Sequence, residues 1–468
     1  MIRTPTGLMA EADVLALFEQ TGFSPPPGTS TQDAFLMLLD IAREQQAQEA
    51  AKRPGRGRTA VLPEPRTADA AVAVLLAHGA HCTPISPCGC EITGLDLTKG
   101  DGELDAAVAG AFEVLMAVHG FVLLRSQGAL QTESGVRGKY LSAEQQCRLS
   151  ECFGAGELHS THGVHPKAPC RDIFRLSNDP DHGFNSVGPE WHNDGSFCRE
   201  VFGHVVYHII KPPSGAGDTR FAHLGSAYDH LPEAVQARMR RCASVNSNGG
   251  AVHPLAYPHP LSGRHSLYLH LGMTGAILEA DADADLEAVP SASAASAASA
   301  ASASAASASA PAAGTDASQP CPTGFGDGTT PADLPQPMPT AAARCGLGAH
   351  IRAWRPEQMD EFFGAFSALL DDPAISYSHK WREGDVIIID NLAVAHKAAP
   401  GAHTLRSGLR VLHRTTVLSN RPHDPPPQLR MPHTLPTDQP CPFAAGATWA
   451  EGYVGFRWGA WQERSVPH

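Results

Sequence analysis

Gly384-Asp385-Val386-Ile387-Ile388-Ile389-Asp390-Asn391-Leu392-Ala393-Val394-Ala395-His396 is the stretch on which the reading of this chain turns. Its four consecutive β-branched residues, bounded by Gly-Asp on one side and a turn-like Asp-Asn on the other, predict a short strand. His396 follows directly after that turn. Similar runs lie outward in both directions: Phe121 to Arg125, Val201 to Ile210, Ser266 to Leu271 and Leu409 to Leu418. In the third of these, Leu267, Leu269 and Leu271 alternate with Ser266, Tyr268 and His270, the period-2 pattern of a strand with one buried face. One helix stands out among them. Pro356 opens it, Met359, Phe362, Phe363, Phe366, Leu369 and Leu370 recur at helical spacing, and Pro373 closes it, so it is expected to cover one side of a sheet. The expected class is mainly β with flanking helices.

The remainder of the 468 residues divides by texture. Residues 1–80 read as a helical N-terminal appendage and linker, with apolar clusters at Val14, Leu15, Leu17 and Phe18 and at Phe35, Leu36, Leu38, Leu39 and Ile41. Residues 81–425 carry the strands. They are interrupted at 280–343 by a Ser/Ala/Pro-rich insertion, which has no large side chains to offset its ordering entropy and is expected to be disordered. Residues 426–468 form a C-terminal extension.

Composition excludes several functions. The net charge is −13, and the few basic residues form no block longer than the cluster Lys52, Arg53, Arg56, Arg58, so a phosphate-backbone footprint is not expected. No apolar run reaches the roughly 18 residues of a membrane span. Eleven cysteines without a spacing framework point to a reducing compartment and a cytoplasmic location. A small-molecule partner is expected rather than nucleic acid or membrane, and homo-oligomerisation is left open.

The candidate chemistry begins at Glu190-Trp191-His192-Asn193-Asp194, which holds the one H-x-D of the chain. With 24 His and 48 acidic residues, about two H-x-[DE] pairs arise by chance, so the pair gains meaning only from partners elsewhere. In extended chain, His192 and Asp194 point to the same side. A second imidazole, for which His396 is the candidate, would complete the two-His, one-carboxylate set that suits non-haem Fe(II). On the strand Leu409 to Val417, Arg410, Leu412 and Arg414 share a face. Two guanidinium groups there are costly to desolvate unless each meets an anion.

Taken in order, these pieces resemble the Fe(II)/2-oxoglutarate-dependent dioxygenases of the TauD/TfdA family. The resemblance runs from about Cys82 to Leu418 outside the insertion. It rests on Ile92-Thr93-Gly94-Leu95-Asp96-Leu97, Gly120 to Arg125, Phe153 to His159, Trp191 to Asp194, Gly217 to Ala222, His259 to Arg264, Gly384-Asp385 with His396, and Arg410 to Arg414. It implies a double-stranded β-helix, the jelly roll of the clavaminate synthase-like kind. It also implies that His192, Asp194 and His396 bind iron and that Arg410, assisted by the Thr219 hydroxyl, grips 2-oxoglutarate. Arg414 would then hold the anionic head of the prime substrate. Fe(II), 2-oxoglutarate and O2 are the implied cofactors, and hydroxylation of a small sulfonate with release of sulfite is the implied reaction.

Two departures bear on the substrate. Taurine-cleaving members place a His and a Tyr after the Phe-Gly stretch, whereas this chain offers His162 or His165 and no nearby Tyr. The usual Asn before the metal-binding His is replaced by Val187-Gly188-Pro189. Taurine itself is therefore disfavoured, while Arg414 retains the preference for an anion. The competing readings are the same chemistry on a small carboxylate or aryloxyacetate-type acid, and a non-catalytic β-barrel that binds a metabolite. The remaining strand histidines, His204, His208, His270 and His413, are expected to be hydrogen-bonded structural residues.

Overall fold

Most of residues 65–280 and 351–423, with short breaks, and part of residues 2–41 are described in a computed structural model. Residues 281–350 and 424–468 lie outside the described residues. The expected insertion, apart from Ala280, and the expected C-terminal extension therefore fall there.

Two sheets form the centre. The larger has seven strands in the order β3 (His81–Pro84), β4 (Cys90–Thr93), β5 (Phe121–Leu124), β16 (Val386–Asp390), β7 (Phe202–Lys211), β18 (Val411–Leu418) and β6 (Phe174–Ser177). All its pairings are antiparallel except β4 with β5. The smaller has the order β15 (Ser376–His379), β8 (Thr219–His223) and β17 (Val394–Ala398), antiparallel throughout. Peripheral ladders are β10 (Val252–Pro254), β9 (Cys242–Asn246), β13 (Thr274–Ala280) and β14 (Ile351–Ala353), with the pairs β11 (Ala256–Pro258)/β12 (His265–Leu267) and β1 (Ile2–Thr4)/β2 (Gly7–Met9). The described helices are α1 (Glu11–Thr21), α2 (Ala68–Ala77), α3 (Ala106–His119), α4 (Ala143–Glu151), α5 (Leu224–Asp229), α6 (Glu233–Met239) and α7 (Pro356–Leu370).

The decisive stretch explains the layering. Along β16, Ile387 and Ile389 pack with Leu123, Tyr207 and Leu412 against Phe221, Val394 and Tyr377 of the smaller sheet, so the two sheets face one another. Val386 and Ile388 point the other way, into a cluster with Phe112 and Leu115 of α3, Leu149 of α4, and Ala71 and Leu75 of α2. A strand covered on both faces needs an uninterrupted apolar run, which is what Val386-Ile387-Ile388-Ile389 supplies. The helices are held by local signals. Ser142 and Gln145 form a capping box at the start of α4, and the carboxylate of Asp105 caps α3.

The expected helix after Pro356 is present as α7. Its Met359, Phe362, Phe363, Phe366, Leu369 and Leu370 join Ala222 of β8 and Ala395 of β17 in one core, so it covers the outer face of the smaller sheet. The Ser266 to Leu271 expectation needs correction. Only His265–Leu267 is strand, and Ser266 and Tyr268 are buried as fully as Leu267 and Leu269. This piece is enclosed on both sides, because Ser266 hydrogen-bonds the Leu392 carbonyl and the Tyr268 hydroxyl donates to the Asp194 carbonyl. In the N-terminal piece, Val14 and Phe18 of α1 pack with Ala34 and Phe35 in a small separate cluster.

Candidate metal centre

His192 and His396 meet through the backbone. They form an isolated antiparallel bridge, with His192 N donating to His396 O at 3.1 Å and His396 N to His192 O at 3.0 Å. Residues exchanging both bonds project their side chains to the same side. The two ring centroids accordingly lie 4.2 Å apart. Asp194, two residues beyond His192, points to the same place, and its carboxylate oxygens lie 3.7 Å from Nε2 of His192 and 3.7 Å from Nε2 of His396. The three donor atoms lie within 4.8 Å of one another and all three residues are buried. Asn193, between them, faces the other way, donating to Asn391 O and accepting from Leu269 N.

The surroundings prepare these groups as ligands. His192 Nδ1 lies 2.7 Å from the Glu190 carbonyl, which places the ring proton there and leaves Nε2 with its lone pair free. Burial lowers the pKa of His192 and brings that of His396 down to about 3, so both imidazoles are neutral near pH 7. Gly188, at φ +71°, borders the donor edge of His192. A Cβ there would lie 3.0 Å from Cε1 and 3.6 Å from Nε2, so the absent side chain preserves the space in front of the ligand nitrogen. Neutral imidazoles, a carboxylate and this clearance fit a divalent first-row cation.

The two arginines differ in their partners: Arg414 of β18 meets a carboxylate, whereas Arg410, one residue before that strand, meets a backbone carbonyl. Arg410 is buried, burial lowers its pKa to about 10, and its Nη1 donates to Gly217 O at 3.0 Å. That contact ties it to the segment leading into Thr219, whose hydroxyl accepts from Trp381 Nε1 at 3.0 Å. Thr219 pairs with Ala398 in the same ladder in which His396 pairs with Phe221, so it lies on the strand beside the metal centre. Arg414 donates from Nη1 to both oxygens of Asp194 at 3.0 Å, with its guanidinium 4.7 Å from the Phe174 ring centroid. The Nε atoms of both arginines are buried and without a hydrogen-bond partner among the described residues. Buried donors of this kind call for an acceptor, and an anion is the acceptor that suits guanidinium.

Other expectations fall elsewhere. His162 lies outside the described residues. His165 is half-buried, and its ring nitrogens engage the Pro180 carbonyl and the Lys167 backbone N–H. The histidines expected to be structural divide. His413 lies 2.7 Å from Arg175 Nη1, as expected. His204 and His208 have buried ring nitrogens without partners among the described residues, a correction, since their rings instead pack against those of Phe153 and Tyr140. His270 is not in a strand, and its ring centroid lies 4.8 Å from that of His192, at the edge of the centre.

Two residues at the centre escaped the sequence reading. Tyr207 of β7 brings its hydroxyl within 2.9 Å of His396 Nε2. A phenol among the apolar residues Val205 and Ile209 on one face of a strand was the available signal. Asn391, read as a turn residue, is wholly buried. Its Oδ1 accepts from Asp194 N, and its Nδ2 donates to Asp194 O and Phe202 O, fixing the carboxylate-bearing backbone.

Two imidazoles and a carboxylate on one face, bordered by the buried Arg414, define the donor class of a non-haem iron protein. Residues 81–298 and 339–416 match the family described as taurine catabolism dioxygenase TauD, TfdA family, and the chain belongs to that family. Among curated relatives, an alpha-ketoglutarate-dependent sulfonate dioxygenase of Saccharomyces cerevisiae is 24% identical over 41% of this chain and 49% of its own length. An alpha-ketoglutarate-dependent sulfate ester dioxygenase of Pseudomonas putida is 24% identical over 39% of this chain and 62% of its own. The (S)-phenoxypropionate/alpha-ketoglutarate-dioxygenase of Delftia acidovorans is 22% identical over 66% of this chain and 90% of its own. The chain thus matches less than two thirds of the length of the first two.

Proposed function

We propose that this chain is an Fe(II)- and 2-oxoglutarate-dependent dioxygenase, with a double-stranded β-helix fold, that hydroxylates a small organic sulfonate. The observation that carries the reading is the convergence of His192, Asp194 and His396 through one backbone bridge, with two buried, partly unsatisfied arginines, Arg414 on β18 and Arg410 just before it. The two facing sheets support the fold assignment.

In this reading His192, Asp194 and His396 hold iron through two Nε2 atoms and a carboxylate. When bound, Fe(II) supplies activation of O2 and oxidative decarboxylation of 2-oxoglutarate, yielding succinate and CO2. The protein does the rest. The Glu190 carbonyl keeps the His192 proton on Nδ1, and Asn391 fixes the backbone of Asp194. Arg410 takes the far carboxylate of 2-oxoglutarate with the Thr219 hydroxyl beside it. Arg414 steers the prime substrate through its charge while bracing Asp194, and His165 and His162 remain candidates for the substrate side. Packed apolar and aromatic residues, including Trp191 and Tyr268, exclude water from the reacting centre. Hydroxylation at a carbon bearing a sulfonate would release sulfite and an aldehyde.

A small carboxylate of the aryloxyalkanoate type is the second reading, favoured by the relative matched over most of its length. Free thiols among the described cysteines support a reducing, cytoplasmic setting. No helix among the described residues is long and apolar enough to cross a membrane.

Anaerobic addition of Fe(II) and 2-oxoglutarate to metal-free protein tests the reading. A visible charge-transfer band is expected, and it should vanish in His396→Ala and Asp194→Ala. A folded wild-type protein without the band would overturn the assignment. Succinate release across sulfonates, sulfate esters and aryloxyalkanoates then separates the substrate readings.

A further inference from the structure

A second group of donors assembles away from the His192/Asp194/His396 centre. Cys147 lies on α4, and Cys170 and Asp172 lie on the segment leading into β6. One ligand atom from each, two Sγ and a carboxylate oxygen, lie within 4.8 Å of one another. All three residues are half-buried, so a cation could reach them while being partly shielded from water. Burial, then Cys170, Asp172 and Glu151, push the Cys147 thiol pKa upward, as expected where acidic groups crowd a thiol. Glu151 stands one helical turn after Cys147 on the same face of α4.

The donor types suit a particular ion class. Zinc takes thiolate at about 2.3 Å and carboxylate at about 2.0–2.2 Å in tetrahedral geometry, which sets neighbouring donors roughly 3.5–3.8 Å apart. Thiolates favour such borderline and soft ions over those that prefer imidazole and oxygen. We propose that Cys147, Cys170 and Asp172 form a second metal site, for a zinc-class divalent cation, that pins α4 to the segment before β6. Glu151 adds negative charge beside the site, and solvent water completes the coordination. On binding, each thiol gives its proton to solvent and its sulfur bonds the metal, with no change of oxidation state.

The site has a route to the active centre. Asp172 is two residues before Phe174, whose ring supports the Arg414 guanidinium, and Arg414 in turn holds Asp194. Pinning this segment therefore fixes the floor on which the second arginine rests.

Co2+ is the probe, because cobalt–thiolate bonds absorb strongly in the near ultraviolet and cobalt bound by His and carboxylate does not. The reduced, chelator-treated full-length chain is titrated with Co2+. A saturable thiolate band, displaced by Zn2+, is expected. It should be lost in Cys147→Ser and Cys170→Ser, weakened about tenfold in affinity in Asp172→Asn, and retained in Asp194→Ala. Zn2+ should also raise the unfolding temperature of Asp194→Ala but not of the double variant Asp194→Ala/Cys170→Ser. Absence of the band in folded, reduced protein, or its survival in both serine variants, overturns the proposal. The thiolate band does not depend on the iron–2-oxoglutarate band, so failure of one reading leaves the other measurable.

Discussion

Gly188 and the two arginines show how single residues set the chemistry. At φ +71° an L-residue is strained by about 1–2 kcal/mol, and a Cβ at this position would press on the donor edge of His192. Gly188→Ala is therefore expected to weaken metal binding about tenfold or more, measured by Mn2+ titration of the metal-free protein, with far-ultraviolet circular dichroism unchanged. Arg410→Ala removes a charge-assisted contact worth about 1.5–3 kcal/mol, and 2-oxoglutarate affinity should fall roughly 10- to 150-fold. Metal affinity, read in the same titration, should hold. Arg414→Ala has a different signature, because it strips the partner from a buried carboxylate. A loss of about 3–5 kcal/mol in stability of the metal-free protein is expected from chemical denaturation, together with loss of prime-substrate turnover. Unchanged stability would show that Asp194 does not depend on this guanidinium.

Helices act on the centre through the sheets they cover. α7 lies over β8 and β17, the strands that carry Thr219 and His396, and Phe366 is among the largest fully buried side chains. Phe366→Ala should cost about 3–5 kcal/mol by cavity formation, read as a shift in the denaturation midpoint. The iron–2-oxoglutarate band should persist in the folded fraction, because Phe366 contributes packing and no donor. α4 works from the other side. Gln146 reaches the Val206 and His413 carbonyls and Ser150 meets Thr415, so this helix is joined to β7 and β18 by hydrogen bonds as well as by Leu149.

At the scale of the whole molecule, enclosure of many imidazoles makes the fold acid-sensitive. Burial brings the pKa of His208 and His223 to about 4 and, with Arg175 nearby, that of His413 to about 3. In the unfolded chain each would titrate near about 6.5. Between that value and the folded one, the unfolded state binds protons that the folded state refuses. Stability is therefore full above about pH 6.5 and falls as the pH drops through this window, by about 2 kcal/mol per such histidine at pH 5. Denaturation midpoints measured between pH 7.5 and 4.5 should decline steadily, and a flat profile would show these imidazoles to be solvated.

What the amino-acid order determined by itself was local. Val386 to Ile389 reads as a strand, Pro356 to Leu370 as a helix, and His192 and Asp194 as neighbours on one side, because side-chain periods of 2 and 3.6 are written in consecutive residues. The family pattern then pointed to His396, Arg410 and Arg414. The tertiary structure decided which distant groups meet: the His192–His396 bridge, Tyr207 at His396, Asn391 beneath Asp194, and Cys147 beside Cys170. Such meetings depend on strand register and on how sheets and helices stack, and these are settled by the burial of the whole core rather than by any short segment.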